Sequence, residues 1–108
     1  MAAVYSTQFF AGTVSNAQQE LYVCPSGYVA VLRDVQLYNN TAGAIDAFIE
    51  LWTGAGQLAT VAFRGIAAQE SPAPWNGRAV FTAGQSLQAG QTGASLRVWA
   101  SGYLLSAP

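Results

Sequence analysis

Along residues 45–52 the side chains alternate without exception, Ile45, Ala47, Ile49 and Leu51 on one side and Asp46, Phe48, Glu50 and Trp52 on the other. A period of two marks a strand with one face on a core, because successive side chains of a strand point to opposite faces. The aliphatic row belongs inside, which leaves two large aromatics and two acids on the outer face. Near the end of the chain Leu96, Val98, Ala100 and Leu104 share one side and Arg97, Trp99 and Tyr103 the other, unless Gly102 marks a bulge that switches the register. No stripe at helical spacing persists, so helix is not expected. Strands are predicted over 4–10, 20–24, 28–38, 45–53, 57–64, 76–82, 86–89 and 94–105. Turn signals separate them, among them Pro25-Ser26-Gly27, Asn39-Asn40-Thr41-Ala42-Gly43 and Gly54-Ala55-Gly56. Residues 67–75, with Pro72 and Pro74, form the predicted long loop, since proline lacks a donor and restricts its predecessor. Short strands at this spacing predict an all-β chain: a single-domain antiparallel β-sandwich or jelly-roll of about eight strands over 1–108. Residues 1–19, with Gln8, Gln18 and Gln19, are a candidate extended N-terminal arm.

The run Val29-Ala30-Val31-Leu32-Arg33-Asp34-Val35 fits this pattern less well. Simple alternation puts Arg33 in a row with Val29, Val31, Val35 and Leu37. An unpaired charge in an apolar row is costly, so a carboxylate is expected close to Arg33. Asp46 and Glu50 are the candidates within the chain, and a carboxylate of a neighbouring subunit is the alternative.

Charge changes the picture. Only 8% of the 108 residues are Asp, Glu, Lys or Arg while 52% are apolar, against roughly 25% charged in an ordinary soluble domain. A chain with so few ionised groups tends to associate, and the expectation is a homo-oligomer whose partners cover part of its surface. All four cations are arginines, the side chain suited to planar contacts at interfaces. The net charge of −1 gives no electrostatic footprint for nucleic acid. No stretch reaches the roughly 18 apolar residues of a membrane span, and no signal segment opens the chain, so no membrane partner and synthesis in the cytoplasm are expected.

Candidate chemistry is sparse. The chain has no His, the usual general base and the commonest metal ligand, and one cysteine, Cys24, read as a buried thiol at a strand end. Asp46 and Glu50 would stand about 13 Å apart on an extended strand at roughly 3.3 Å per residue. Glycosidase carboxyl pairs work at about 5–9.5 Å. No enzyme activity and no cofactor are therefore expected. Asn39-Asn40-Thr41 fits the glycosylation triplet but is read as a turn. Rows of Trp, Tyr, Phe and Arg on outer faces have the composition of interface cores. Phe48, Trp52, Trp75, Arg97, Trp99 and Tyr103 are the candidate partner contacts.

Residues 21–35 (LYVCPSGYVAVLRDV), Tyr38-Asn39-Asn40-Thr41, residues 83–91 (AGQSLQAGQ) and Ser101-Gly102-Tyr103 together resemble small β-sandwich structural proteins of tailed-bacteriophage virions. In that group a strand ending in V-P-x-G leads into a long strand, an Asn-rich turn follows, and a G-x-x-L segment precedes a terminal strand closing on S-G-Y. Cys24 departs from the pattern by separating Val23 from Pro25. The resemblance spans residues 20–105. It implies a virion component, most often a capsid decoration or minor capsid protein that clamps capsomers of the major capsid protein, frequently as a trimer. Some relatives sit in tails or at the head-to-tail junction, where a module binding a host receptor or glycan is the alternative.

Overall fold

Eight strands account for most of residues 3–69 and 75–106, the residues described by the computed structural model; the side chains of Phe63 and Arg64 are not described. They are β1 Val4–Val14, β2 Gln19–Val23, β3 Tyr28–Tyr38, β4 Ile45–Thr53, β5 Gly56–Ile66, β6 Trp75–Thr82, β7 Ser86–Gln91 and β8 Leu96–Ser106. No helix occurs among the described residues. Two four-stranded antiparallel sheets form, in the orders β1-β8-β3-β6 and β2-β7-β4-β5. Sheet order runs far from chain order because the first strand pairs the last and the connections cross between layers. Eight strands so arranged make a jelly-roll, one of the two architectures expected.

The alternation read from sequence sets the core. Ala47, Ile49 and Leu51 of β4 pack in one cluster with Leu32, Val35, Leu96, Val98 and Phe81 of the opposite sheet, and all of these and Ile45 are buried. Phe9, Tyr22 and Phe81 add tilted and edge-on ring contacts with centroids 4.8 to 6.4 Å apart, a geometry favoured by the ring quadrupoles. Gly27 and Gly84 supply the left-handed turn conformations before β3 and β7 (φ 85° and 83°). Those turns are tied together through Cys24, whose N–H donates to Gln85 O at 2.9 Å while its carbonyl accepts from Gly84 N at 3.0 Å.

Three expectations are corrected. Residues 4–14 are no arm: they pair with β8 from Val4↔Leu105 to Val14↔Leu96, because Phe9 and Val14 have core to bury. Arg33 does not sit in an apolar row. The register of β3 shifts between Leu32 and Asp34 against both of its neighbours: against β8 Arg33 is an extra residue, while against β6 it stands opposite both Gly77 and Arg78. Leu32 and Val35 both point inward, which leaves Arg33 and Asp34 together on the outside of the sheet, with Arg33 exposed. Asp46 and Glu50, on the other sheet, are not its partners. Of the predicted loop 67–75, residues 70–74 lie outside the described residues and Trp75 already begins β6.

Cys24 is 1% exposed, and its thiol donates to Tyr28 O at 3.3 Å. Burial pushes its pKa up, only partly opposed by a backbone hydrogen bond from Ala30. A raised pKa keeps the unreactive thiol form at neutral pH. Cys24 is expected to resist iodoacetamide in the native protein and to be alkylated stoichiometrically in urea, as mass spectrometry will show. Because the folded state holds this proton longer, the stability contributed by burial is full below the thiol's unfolded pKa. It is lost as pH rises toward the folded value.

Candidate functional site

The two outer surfaces of the jelly-roll carry the side chains that the core does not use. Sheet β1-β8-β3-β6 presents face A. On β8, Arg97 and Trp99 alternate with buried Val98 and Ala100, so both point outward; Trp99 is 40% exposed. Trp99 stands in register between Ala11 and Gln36, and Arg97 between Thr13 and Tyr38. Further along, half-buried Tyr103 is in register with Val31, which is in turn opposite the exposed Val80 of β6. On β6, Arg78 lies between Gly77 and the core-packed Ala79 and is exposed. It falls in the interval where β6 passes the Arg33 bulge.

A second bulge shapes this face. The register of β1 shifts between Gln8 and Phe10, and Gln8, Ser101 and Asp34 form one cross-strand row. The bulges of β1 and β3 thus flank β8 at one level, and bulges bend and twist the strands that carry them. Beside them opens a cleft of about 380 Å³ lined by Gln8, Asp34, Gln36, Trp99, Ala100 and Ser101. Asp34 Oδ1 is buried at its wall and has no hydrogen-bond partner. An acceptor left so is expensive to bury.

Face B is the outside of β2-β7-β4-β5. Phe48 lies flat over Gly90 of β7: a Cβ there would come 2.4 Å from the ring, so only glycine admits the contact. Glu50 accepts from Trp52 Nε1 at 3.0 Å and from Gln18 Nε2 at 3.1 Å, while Gln18 also donates to Gln88 Oε1 at 2.8 Å. This network holds Trp52 half-buried against its own strand. Glu20 is in register with Gln88, as Glu50 is from the other side, and exposed Asp46 completes the acidic set. β4 carries no inserted residue: it runs against β7 without a register shift, and its shifts against β5 place the extra residues Val61 and Leu58 in β5.

Of the six predicted contact residues, Arg97, Trp99 and Tyr103 share face A, and Phe48 and Trp52 share face B. Trp75 is corrected. It is in register with buried Val35 and packs on the core, its ring folded over Gly77, where a Cβ would come within 2.7 Å. Its alternation with Asn76 gave no hint of this, because the preceding loop hides the phase of β6. Sequence reasoning missed Gln8, Gln36, Asp34 and Arg78. The signal for Asp34 was present: apolar positions switch from even (Ala30, Leu32) to odd (Val35, Leu37), the trace of an inserted residue. Asn39-Asn40-Thr41 is structural. Asn39 is fully buried, and its Nδ2 donates to Gly43, Ile66 and Ala67 carbonyls at 2.8, 3.2 and 3.1 Å. No group of three His, Cys, Asp or Glu side chains that could hold a metal ion occurs among the described residues.

Fold and faces together define an eight-stranded antiparallel jelly-roll with two chemically distinct outer sheets. No protein-family model matches the chain, and no curated protein does. Among solved structures, a pentameric capsid protein isolated from metagenomic phage sequences is similar, at 24% identity and a TM-score of 0.49 over 90% of this chain and 59% of that one. The VP2 subviral particle of infectious bursal disease virus is similar at 14% identity and a TM-score of 0.43, over 98% of this chain and 33% of that one. The chain therefore spans less than two thirds of the length of either. Likeness at this level carries no argument about function.

Proposed function

We propose that the chain is a structural component of a bacteriophage virion, a capsid decoration or minor capsid protein that associates with itself, as a trimer, and with the major capsid protein between capsomers. The observation that carries this reading is the placement of large aromatics beside charge on both outer sheets, Arg97, Trp99 and Tyr103 on one and Phe48 and Trp52 on the other. The resemblance of residues 20–105 to phage β-sandwich proteins supplies the virion context. A chain with 8% charged residues gains by covering such rows. At roughly 25 cal/mol per Å² of apolar area removed from water, before the cost of association, contacts of modest size suffice when many copies act on one shell.

Locating and counting the chain in the intact particle tests this. Hundreds of copies are expected, and particles lacking the protein should adsorb normally but rupture at lower temperature. Six or twelve copies would overturn the capsid position. Trp99→Ala should leave the protein folded, at a cost of about 1–2 kcal/mol for the covered part of the ring. It should weaken particle binding at least tenfold, the behaviour of an interface anchor.

One observation favours a second reading, a tail or head-to-tail-junction module that binds a receptor glycan. The cleft beside Trp99 is lined by an aromatic ring, the amides of Gln8 and Gln36, the Ser101 hydroxyl and Asp34. Saccharide binding by the isolated protein, abolished in Trp99→Ala, would favour it.

A further inference from the structure

The charges on the two outer sheets are sorted by sign. Face A carries Arg33, Arg78 and Arg97 against one carboxylate, Asp34. Face B carries Glu20, Asp46 and Glu50, and none of these three alternating strand positions is shared with a described cation. Apart from Arg64 and Glu70, whose side chains are not described, every charged side chain of the chain is in these two sets. A molecule with a net charge of only −1 is thus a strongly polarised slab.

From this we infer that copies of the chain associate face A on face B, a heterologous contact in which the arginine sheet of one protomer covers the acidic sheet of the next. Pairing A with A, or B with B, would set like charges against each other, which costs affinity. The A-on-B arrangement makes every copy complementary to its neighbour. The room is sufficient: the Cα trace measures 48 × 27 × 18 Å, so each broad face offers about 1,300 Å² (48 by 27 Å). A standard interface needs roughly 800 Å² per partner. Both faces also present apolar anchors, Trp99 and Tyr103 on A and Phe48 and Trp52 on B. Between opposite sides of a slab, contacts of this kind build open stacks when each face is covered in full; a closed ring such as a trimer can use only part of each face, with the protomers tilted, and a two-fold dimer cannot use them. The inference rests on the reading of these sheets as self-association surfaces.

The test uses the purified full-length chain and sedimentation velocity at low and high salt. The wild type should associate in about 50 mM NaCl and dissociate progressively toward about 1 M, where the screening length shrinks to about 3 Å. Two variants, R33E/R97E on face A and E20R/D46R on face B, should each be monomeric when alone, with wild-type circular dichroism and urea midpoints. An equimolar mixture should associate again, because each supplies the face that the other has lost. If either variant self-associates like the wild type, the contact is isologous and the inference is overturned. A wild-type chain that stays monomeric throughout also overturns it, while the virion reading is decided separately by copy number in the particle.

Discussion

Gly102→Ala is expected to lower the folding stability of this protein by about 4 kcal/mol or more, a loss reached only by a few mechanisms. A Cβ at this position would lie 1.9 Å from the Val31 carbonyl oxygen and 3.1 Å from the Arg33 nitrogen. Both neighbours are backbone, so no rotamer change relieves the clash. β3 and β8 would have to separate by about an ångström where Leu32↔Gly102 gives way to Asp34↔Ser101. That disrupts ladder hydrogen bonds, worth about 0.5–1.5 kcal/mol each, and opens the core beneath Leu32. The cause is steric and not conformational, since Gly102 is not among the residues with positive φ. Urea denaturation will show it as a lower midpoint at unchanged slope. A midpoint equal to wild type would mean that the Arg33 bulge, and the cleft it helps to open, do not have this geometry.

Asn39→Ala should cost nearly as much, about 3–5 kcal/mol, the range for breaking a buried polar network. The amide is the hub of the β3–β4 connection. Its Nδ2 serves the carbonyls of Gly43, Ile66 and Ala67, while Oδ1 accepts from Thr41 N at 2.9 Å and Thr41 Oγ1 at 2.6 Å. Alanine leaves several buried groups without their partner and an apolar void among them. Asn39→Asp is the sharper comparison. It keeps the acceptor for Thr41 but turns an anionic oxygen toward three carbonyls, so it should be at least as destabilising as alanine at neutral pH. Protonation below the carboxylate range restores a donor, and the deficit should shrink as pH falls. Thermal unfolding of the three proteins across pH checks this. A deficit that does not depend on pH would show that the three carbonyls do not meet this side chain.

These two residues show where sequence was and was not enough. Gly102 was recognised as a candidate bulge marker, and a bulge is there, but it lies in the partner strand. The glycine admits the bulge instead of forming it. A single sequence holds the clue to each strand's phase but not to which strand lies beside it. Asn39 was read as a turn residue, and the turn is real. Its contacts to Ile66 and Ala67, twenty-seven and twenty-eight residues away, depend on tertiary placement. Trp75 was named as a partner contact without a face, because its phase could not be read across a proline-containing loop. Phe48 and Trp52 lie on the outer face, as the unbroken alternation of β4 over eight residues predicts.

The chain's own order of residues determined that it would be all-β, where most strands begin and end, and which row of β4 and β8 enters the core. Those features follow from local chemistry: side-chain alternation, and Gly, Pro and Asn at turns. Only the tertiary structure decided that β1 pairs β8, that Arg33 and Asp34 share the outside of a bulge, and that Arg33, Arg78 and Arg97 come to one outer sheet and Glu20, Asp46 and Glu50 to the other. Each of those depends on which distant strand becomes a neighbour, and that is fixed by the joint fit of the whole core, which no local window contains.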